Sequence, residues 1–104
     1  MKIEKSCRLR GNWLFDDGNV PIQVRVMRAN EISKIAHFHR TMHEYYYVIR
    51  GCFKILVDGK LFELEKDQLL VVEPGERHCI TEASRDLLLM LMMPPPVPND
   101  KVIV

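Results

Sequence analysis

The chain has 104 residues, 47% of them hydrophobic and 28% charged, which is the composition of one soluble domain around a single core. Fifteen Lys and Arg stand against fourteen Asp and Glu, a net charge of +1, so no overall field marks a nucleic acid or another polyanion as partner. The longest apolar run, Leu87 to Met93, falls far short of the roughly 20 residues of a membrane-crossing helix, and no membrane association is expected. The opening residues Met1-Lys2-Ile3-Glu4-Lys5 carry charges where a secretory leader has its apolar stretch. Three widely spaced cysteines, Cys7, Cys52 and Cys79, suit neither a disulfide framework nor a zinc-thiolate cluster. A cytoplasmic protein with reduced thiols is the expectation.

Taken in order, the chain shows short strand patterns between turn signals and no long stretch of helical periodicity. Asp16-Asp17-Gly18-Asn19 reads as a turn, and Pro21 to Arg28 as a half-buried strand with Ile22, Val24 and Val26 on one face and Gln23, Arg25 and Met27 on the other. Tyr45 to Ile49 is aromatic and β-branched and ends at Arg50-Gly51, as a strand entering a tight turn does. Phe53, Ile55 and Val57 alternate with Cys52, Lys54 and Leu56 up to Asp58-Gly59, a pair favoured in two-residue hairpin loops, and Phe62 and Leu64 resume the alternation beyond it. Leu69 to Val72 and Leu87 to Met93 are apolar strand candidates, halted by Glu73-Pro74-Gly75 and by Pro94-Pro95-Pro96. So many short strands predict an all-β sandwich or barrel. The organisation expected is a single domain over 1–104, with a barrel core of about 20–93, an N-terminal arm over 1–15 and a proline-rich tail over 94–104 that packs along the domain or along a second subunit.

All four histidines fall between residues 37 and 78. In an extended segment side chains alternate, so His37 and His39 project to one face with Phe38 opposite, and two imidazoles can meet one ion. Glu44 enters the next strand beside them as a candidate third ligand whose charge offsets a divalent cation. His78, placed by the turn Glu73-Pro74-Gly75 at the start of a further strand, is a candidate fourth.

The spacing His37-x-His39, four residues, Glu44, six residues, Gly51 resembles the first motif of the cupin family at every defining position. The segment Asp67 to His78 is similar to the family's second motif, which ends Pro-x-Gly-x-x-His. Asp67 stands where glycine is usual and Glu73 where the first proline is usual, departures that touch the turns and leave Gly75 and His78 in place. The resemblance implies a single-domain cupin jelly-roll β-barrel with one metal ion inside it, held by His37, His39, Glu44 and His78. Imidazole with one carboxylate suits Fe, Mn, Ni, Co, Cu or Zn, whereas Mg and Ca prefer oxygen shells. Six-coordination leaves two positions open for a substrate oxygen, water or dioxygen.

Around that set, His43 alternates with Glu44 and should face away from the ion as a rim residue. Tyr46 shares the parity of Glu44 and should point inward, packing in the core or turning its hydroxyl to a ligand. Tyr45 and Tyr47 face the other way. Cys79 points away from His78 as a small buried hydrophobe, and Arg50 and Arg77 are rim residues able to guide an anion. His43, Tyr46 and Glu73 are the candidates for handling a proton, and no constellation for covalent catalysis is visible. The function expected is a metal-dependent dioxygenase or isomerase acting on an oxygen-bearing small molecule. The alternative is a non-catalytic module that binds a metabolite or metal. Small size, abundant apolar strands and the extended tail predict a homodimer.

Overall fold

The computed structural model describes residues 7–9, 12–15, 22–95 and 97–104. They form eleven strands and one 3-10 turn, Ala29–Glu31. The strands are β1 (Cys7–Leu9), β2 (Asn12–Phe15), β3 (Ile22–Arg28), β4 (His37–His39), β5 (Glu44–Arg50), β6 (Cys52–Val57), β7 (Lys60–Glu65), β8 (Leu69–Val72), β9 (His78–Ala83), β10 (Leu88–Met93) and β11 (Lys101–Ile103). One sheet runs β1-β2-β3-β10-β5-β8 and the other β11-β4-β9-β6-β7, with antiparallel pairing throughout. The two sheets face each other as a jelly roll and are not joined into one closed ladder among the described residues. The all-β architecture is the one the turn spacing predicts. No helix among the described residues is long and apolar enough to cross a membrane.

The hairpin expected at Asp58-Gly59 is present: both residues have positive φ, 47° and 79°, and Val57 pairs with Lys60 across a two-residue loop. The Asp16–Asn19 turn lies outside the described residues. Two stretches read as arm and tail contribute strands: β1 and β2 extend the sheet beyond β3, and β11 pairs along β4, Lys101 opposite His39.

Inward-facing side chains divide the interior in two. At one end Val48, Phe53, Ile55, Val72, Leu87 and Leu89 are fully buried, each stabilising the fold by about 1.5–3 kcal/mol through removal of its side chain from water. Toward the other end the inner face of β5 changes from Val48 to Tyr46 and Glu44, and a cavity opens. In β3 the alternation is as read, but the Arg25 and Met27 face turns inward and Val26, 44% exposed, turns out.

Two turns show why their residues are required. Gly51 has φ +81°, and a Cβ there would lie 2.9 Å from the backbone Cα of Leu87. Asp67, the residue in place of the motif's usual glycine, also takes a left-handed conformation, φ +68°. Aspartate tolerates that region better than most residues, and here Tyr47 Oη donates to its carboxylate at 3.0 Å. Gly59 has a similar φ but open space around it. Gly51→Ala should therefore lower the unfolding free energy by more than about 2 kcal/mol, and Gly59→Ala only by the left-handed cost of about 1–2 kcal/mol. Denaturant unfolding of both variants measures the difference.

Candidate metal centre

Strand register assembles the four motif residues from both sheets. His37 and His39 alternate onto the inner face of β4, His37 lies opposite His78 of the neighbouring β9, and Glu44, the first residue of β5, faces them from the other sheet. One ligand atom from each of His37, His39, Glu44 and His78 lies within 4.8 Å of all the others. The three Nε2 atoms converge on a single oxygen, Glu44 Oε1: His37 at 3.8 Å, His78 at 3.3 Å, and His39 in direct contact. Hydrogen bonds from the adjoining turns hold the strands in this relation. Gly75 N–H donates to the His39 carbonyl at 2.8 Å, and the Asp58 carboxylate accepts the Arg77 N–H at 3.0 Å, beside His78.

The ring orientations are set from behind. His37 Nδ1 lies 2.8 Å from the Ile35 carbonyl and His78 Nδ1 2.9 Å from the Glu76 carbonyl, each two residues back along the chain. A carbonyl can only accept, so both Nδ1 atoms carry a proton, and each ring turns its Nε2 to Glu44, as a donor when that nitrogen is protonated and as a lone pair when it is not. The other carboxylate oxygen, Glu44 Oε2, accepts the Tyr46 hydroxyl. Tyr46 thereby fixes the carboxylate plane and leaves Oε1 for the histidines.

A 2% exposed carboxylate ringed by imidazole nitrogens needs a positive species, proton or cation, between them. Burial alone would raise the Glu44 carboxyl, but the imidazoles of His37, His39 and His78 aimed at it, with the charge of protonated His78, hold it well below the usual carboxylate range. Burial would lower His78, yet the adjacent Glu44 carboxylate brings it above the ordinary histidine value, while nearby Lys101 opposes the rise. Burial, with the Glu44 charge, pushes the Tyr46 phenol well above its ordinary value, so it stays a donor. Among the described residues two buried side-chain atoms lack a hydrogen-bond partner, His39 Nδ1 and His78 Nε2, and both belong to this cluster. Three nitrogens and one carboxylate oxygen that converge, His78 Nε2 among them without a hydrogen-bond partner, fit a single divalent ion of the Fe, Mn, Co, Ni, Cu, Zn group.

The link from β4 to β5, where His39 is followed closely by Glu44, is pinned by a residue the motif reading does not contain. Asp100, 4% exposed, accepts the backbone N–H of Thr41 at 3.0 Å and of Met42 at 2.8 Å, and its carbonyl accepts Arg40 N–H at 3.1 Å. Its carboxylate also stands 3.8 Å from His39 Nδ1. Its only sequence signal is a polar residue beyond a proline-rich stretch.

The other singled-out residues fall as follows. Tyr46 points inward, 3% exposed. His43 lies outside the cluster with its ring stacked near Tyr45, centroids 6.4 Å apart. Glu73 and Arg77 are exposed, Arg50 Nε donates to the Asp86 carbonyl, and none of the three lines the cavity. Cys79 is half-buried, and it and Cys52 are free thiols. The cavity, about 200 Å³, is walled by Met27, Ile80, Leu91 and Met93 around the cluster, and its basic residues are Arg25 and Lys101, which the motifs do not mark.

Residues 23–94 match the family profile described as the cupin domain. The chain belongs to the cupin family. A curated relative, the tetracenomycin polyketide synthase protein TcmJ of Streptomyces glaucescens, is 38% identical over 48 residues, 46% of this cupin. The matched segment spans 32% of that relative, about a third of its length. Among solved structures, the Streptomyces nucleoside dehydratase Pac13 superposes with a TM-score of 0.72 at 17% identity, covering 97% of this cupin and 84% of Pac13. Oxalate decarboxylase of Lactobacillus farciminis gives 0.64 at 14% identity over 97% of this chain and 33% of its own. These likenesses show the fold of the cupin.

The carboxyl of Asp100 is opposed by burial but brought below its ordinary value of 3.8 by the Met42 and Thr41 N–H groups. A carboxylate lowered in this way stabilises the fold above its unfolded pKa and stops doing so as the pH falls through the folded one. Asp100→Ala should cost about 1.5–3 kcal/mol at neutral pH. The gap from the parent protein should narrow below about pH 4, as read from paired denaturation curves across that range.

Proposed function

We propose that this cupin binds one divalent transition-metal ion on His37, His39, Glu44 and His78 and uses it on an oxygen-bearing small molecule, as a dioxygenase or isomerase. The observation that carries this reading is the convergence of three Nε2 atoms, two of them oriented by backbone carbonyls, on Glu44 Oε1 in the wall of a cavity. When bound, the ion supplies Lewis acidity or redox chemistry. The protein's part is positioning. The Ile35 and Glu76 carbonyls select the tautomer of two histidines, Tyr46 anchors the free oxygen of the carboxylate, and Met27, Leu91 and Met93 wall the site against bulk water. The cavity is below the about 300–1,000 Å³ of drug-sized pockets, which favours a small substrate.

One observation favours the second reading, a binding module without turnover. Among the described residues lining the cavity, no carboxylate or imidazole stands outside the cluster, so the groups that most often serve as general base are all engaged there. Pac13 and oxalate decarboxylase are named for different reactions, and at their low identity they do not choose between the readings.

Protein purified without added metal should hold close to one equivalent by elemental analysis. His78→Ala, and the paired change His37→Ala with His39→Ala, should reduce occupancy at least about ten-fold while circular dichroism retains the β signature. Full occupancy in those variants would contradict the ligand assignment. Oxygen consumption or isomer formation across a substrate panel separates enzyme from module.

A homodimer is part of the same proposal. The outer face of the larger sheet carries two uncharged cross-strand rows, Val26-Met90-Tyr47-Leu69 and Val24-Met92-Tyr45-Val71. Leu69 is 53% and Val71 40% exposed. An apolar sheet face of this kind supports association with a second copy. Sedimentation at micromolar concentration should give the dimer mass, and Leu69→Lys with Val71→Lys should give the monomer. A monomeric parent protein would remove the proposal.

A further inference from the structure

The cavity holds a second set of groups that metal binding does not use. Arg25 sits on the inner face of β3, in register with Leu91 and through it with Tyr46, so these three side chains form one row across the larger sheet. Lys101, an exposed residue whose charge is also solvated, borders the same cavity from the other sheet, on β11, in register with His39. A guanidinium keeps its charge at any physiological pH, and placing one on an inner sheet face is unfavourable unless something answers it. Among the described residues no carboxylate forms an ion pair with Arg25 or Lys101. The only acidic side chain on the described cavity wall is Glu44, already committed to three histidines and Tyr46.

With a divalent ion present, the wall carries that ion and two basic side chains against one carboxylate. An anionic ligand would supply the countercharge that the described wall does not. Arginine's planar fork favours a carboxylate, while the apolar side chains Met27, Leu91 and Met93 accommodate a short carbon skeleton.

We propose that Arg25 and Lys101 are the anion-recognition pair of this site and that its small molecule is a carboxylate. The inference rests on the metal-site reading and narrows its substrate class.

The probes are succinate and its uncharged diamide, titrated calorimetrically into the cobalt(II)-loaded and the metal-free full chain, with cobalt uptake measured first. Succinate should bind at least about ten-fold more tightly than the diamide. Arg25→Gln and Lys101→Gln should each remove most of that preference with cobalt stoichiometry unchanged, and Arg25→Lys should restore part of it. Equal affinity for the two probes, or a preference that survives both glutamine variants, overturns the proposal while leaving the metal centre standing. Absence of cobalt uptake overturns the metal reading instead. In that case a succinate preference in metal-free protein that Arg25→Gln abolishes still supports the pair, and no preference there rejects it. Melting curves of each variant identify any loss that comes from unfolding.

Discussion

The arrangement depends on one electrostatic constraint: a nearly waterless carboxylate, Glu44, has three imidazole nitrogens aimed at one of its oxygens. Lone pair against lone pair is repulsive in a medium that screens poorly, so the cluster is stable only with protons or a cation at its centre. The surrounding backbone resists relaxation by any other route. The β4–β9 register fixes two rings, the carbonyls of Ile35 and Glu76 fix their rotation, and Asp100 prevents the segment between His39 and Glu44 from drifting outward.

The same strands grade from dry core to polar cavity without a break. Along β5 the inward sequence Glu44, Tyr46, Val48 passes from ligand to positioning hydroxyl to fully buried apolar side chain, and β10 answers with Met93, Leu91 and Leu89. The site therefore stands on sheet backbone whose hydrogen bonds are already made, and tightly packed neighbours hold its side chains in place. Rigid support of this kind suits a donor set whose geometry has to be correct before the ligand arrives.

Much of this was legible in the residues because the governing rules are local. Period-two alternation placed His37, His39, Glu44 and Tyr46, and the Asp58-Gly59 pair marked its own hairpin. Other features depended on what packs against what. The apolar side of β3 suggests a core face, yet Val26 faces out and Arg25 faces in, because the cavity replaces core at that end of the sheet. Asp100 and β11 follow a run of prolines that carries no strand signal, and their roles arise only when the chain returns beside β4. The brevity of β1 and β2 likewise gives alternation too few residues to register, so pairing with β3 is what defines them.

The four motif residues are divided between the sheets, Glu44 on one and the histidines on the other. Occupancy and unfolding are consequently linked, since separating the sheets dismantles the donor set. By mass action a free ion at a hundred times its dissociation constant adds about 2.7 kcal/mol to the folded state, provided the unfolded chain does not compete for it. For a domain of this length that is a large share of an ordinary stability of about 5–15 kcal/mol. Chelator, buffer and growth medium therefore become determinants of thermal tolerance, and a melting temperature for this chain has meaning only alongside the metal activity at which it was taken.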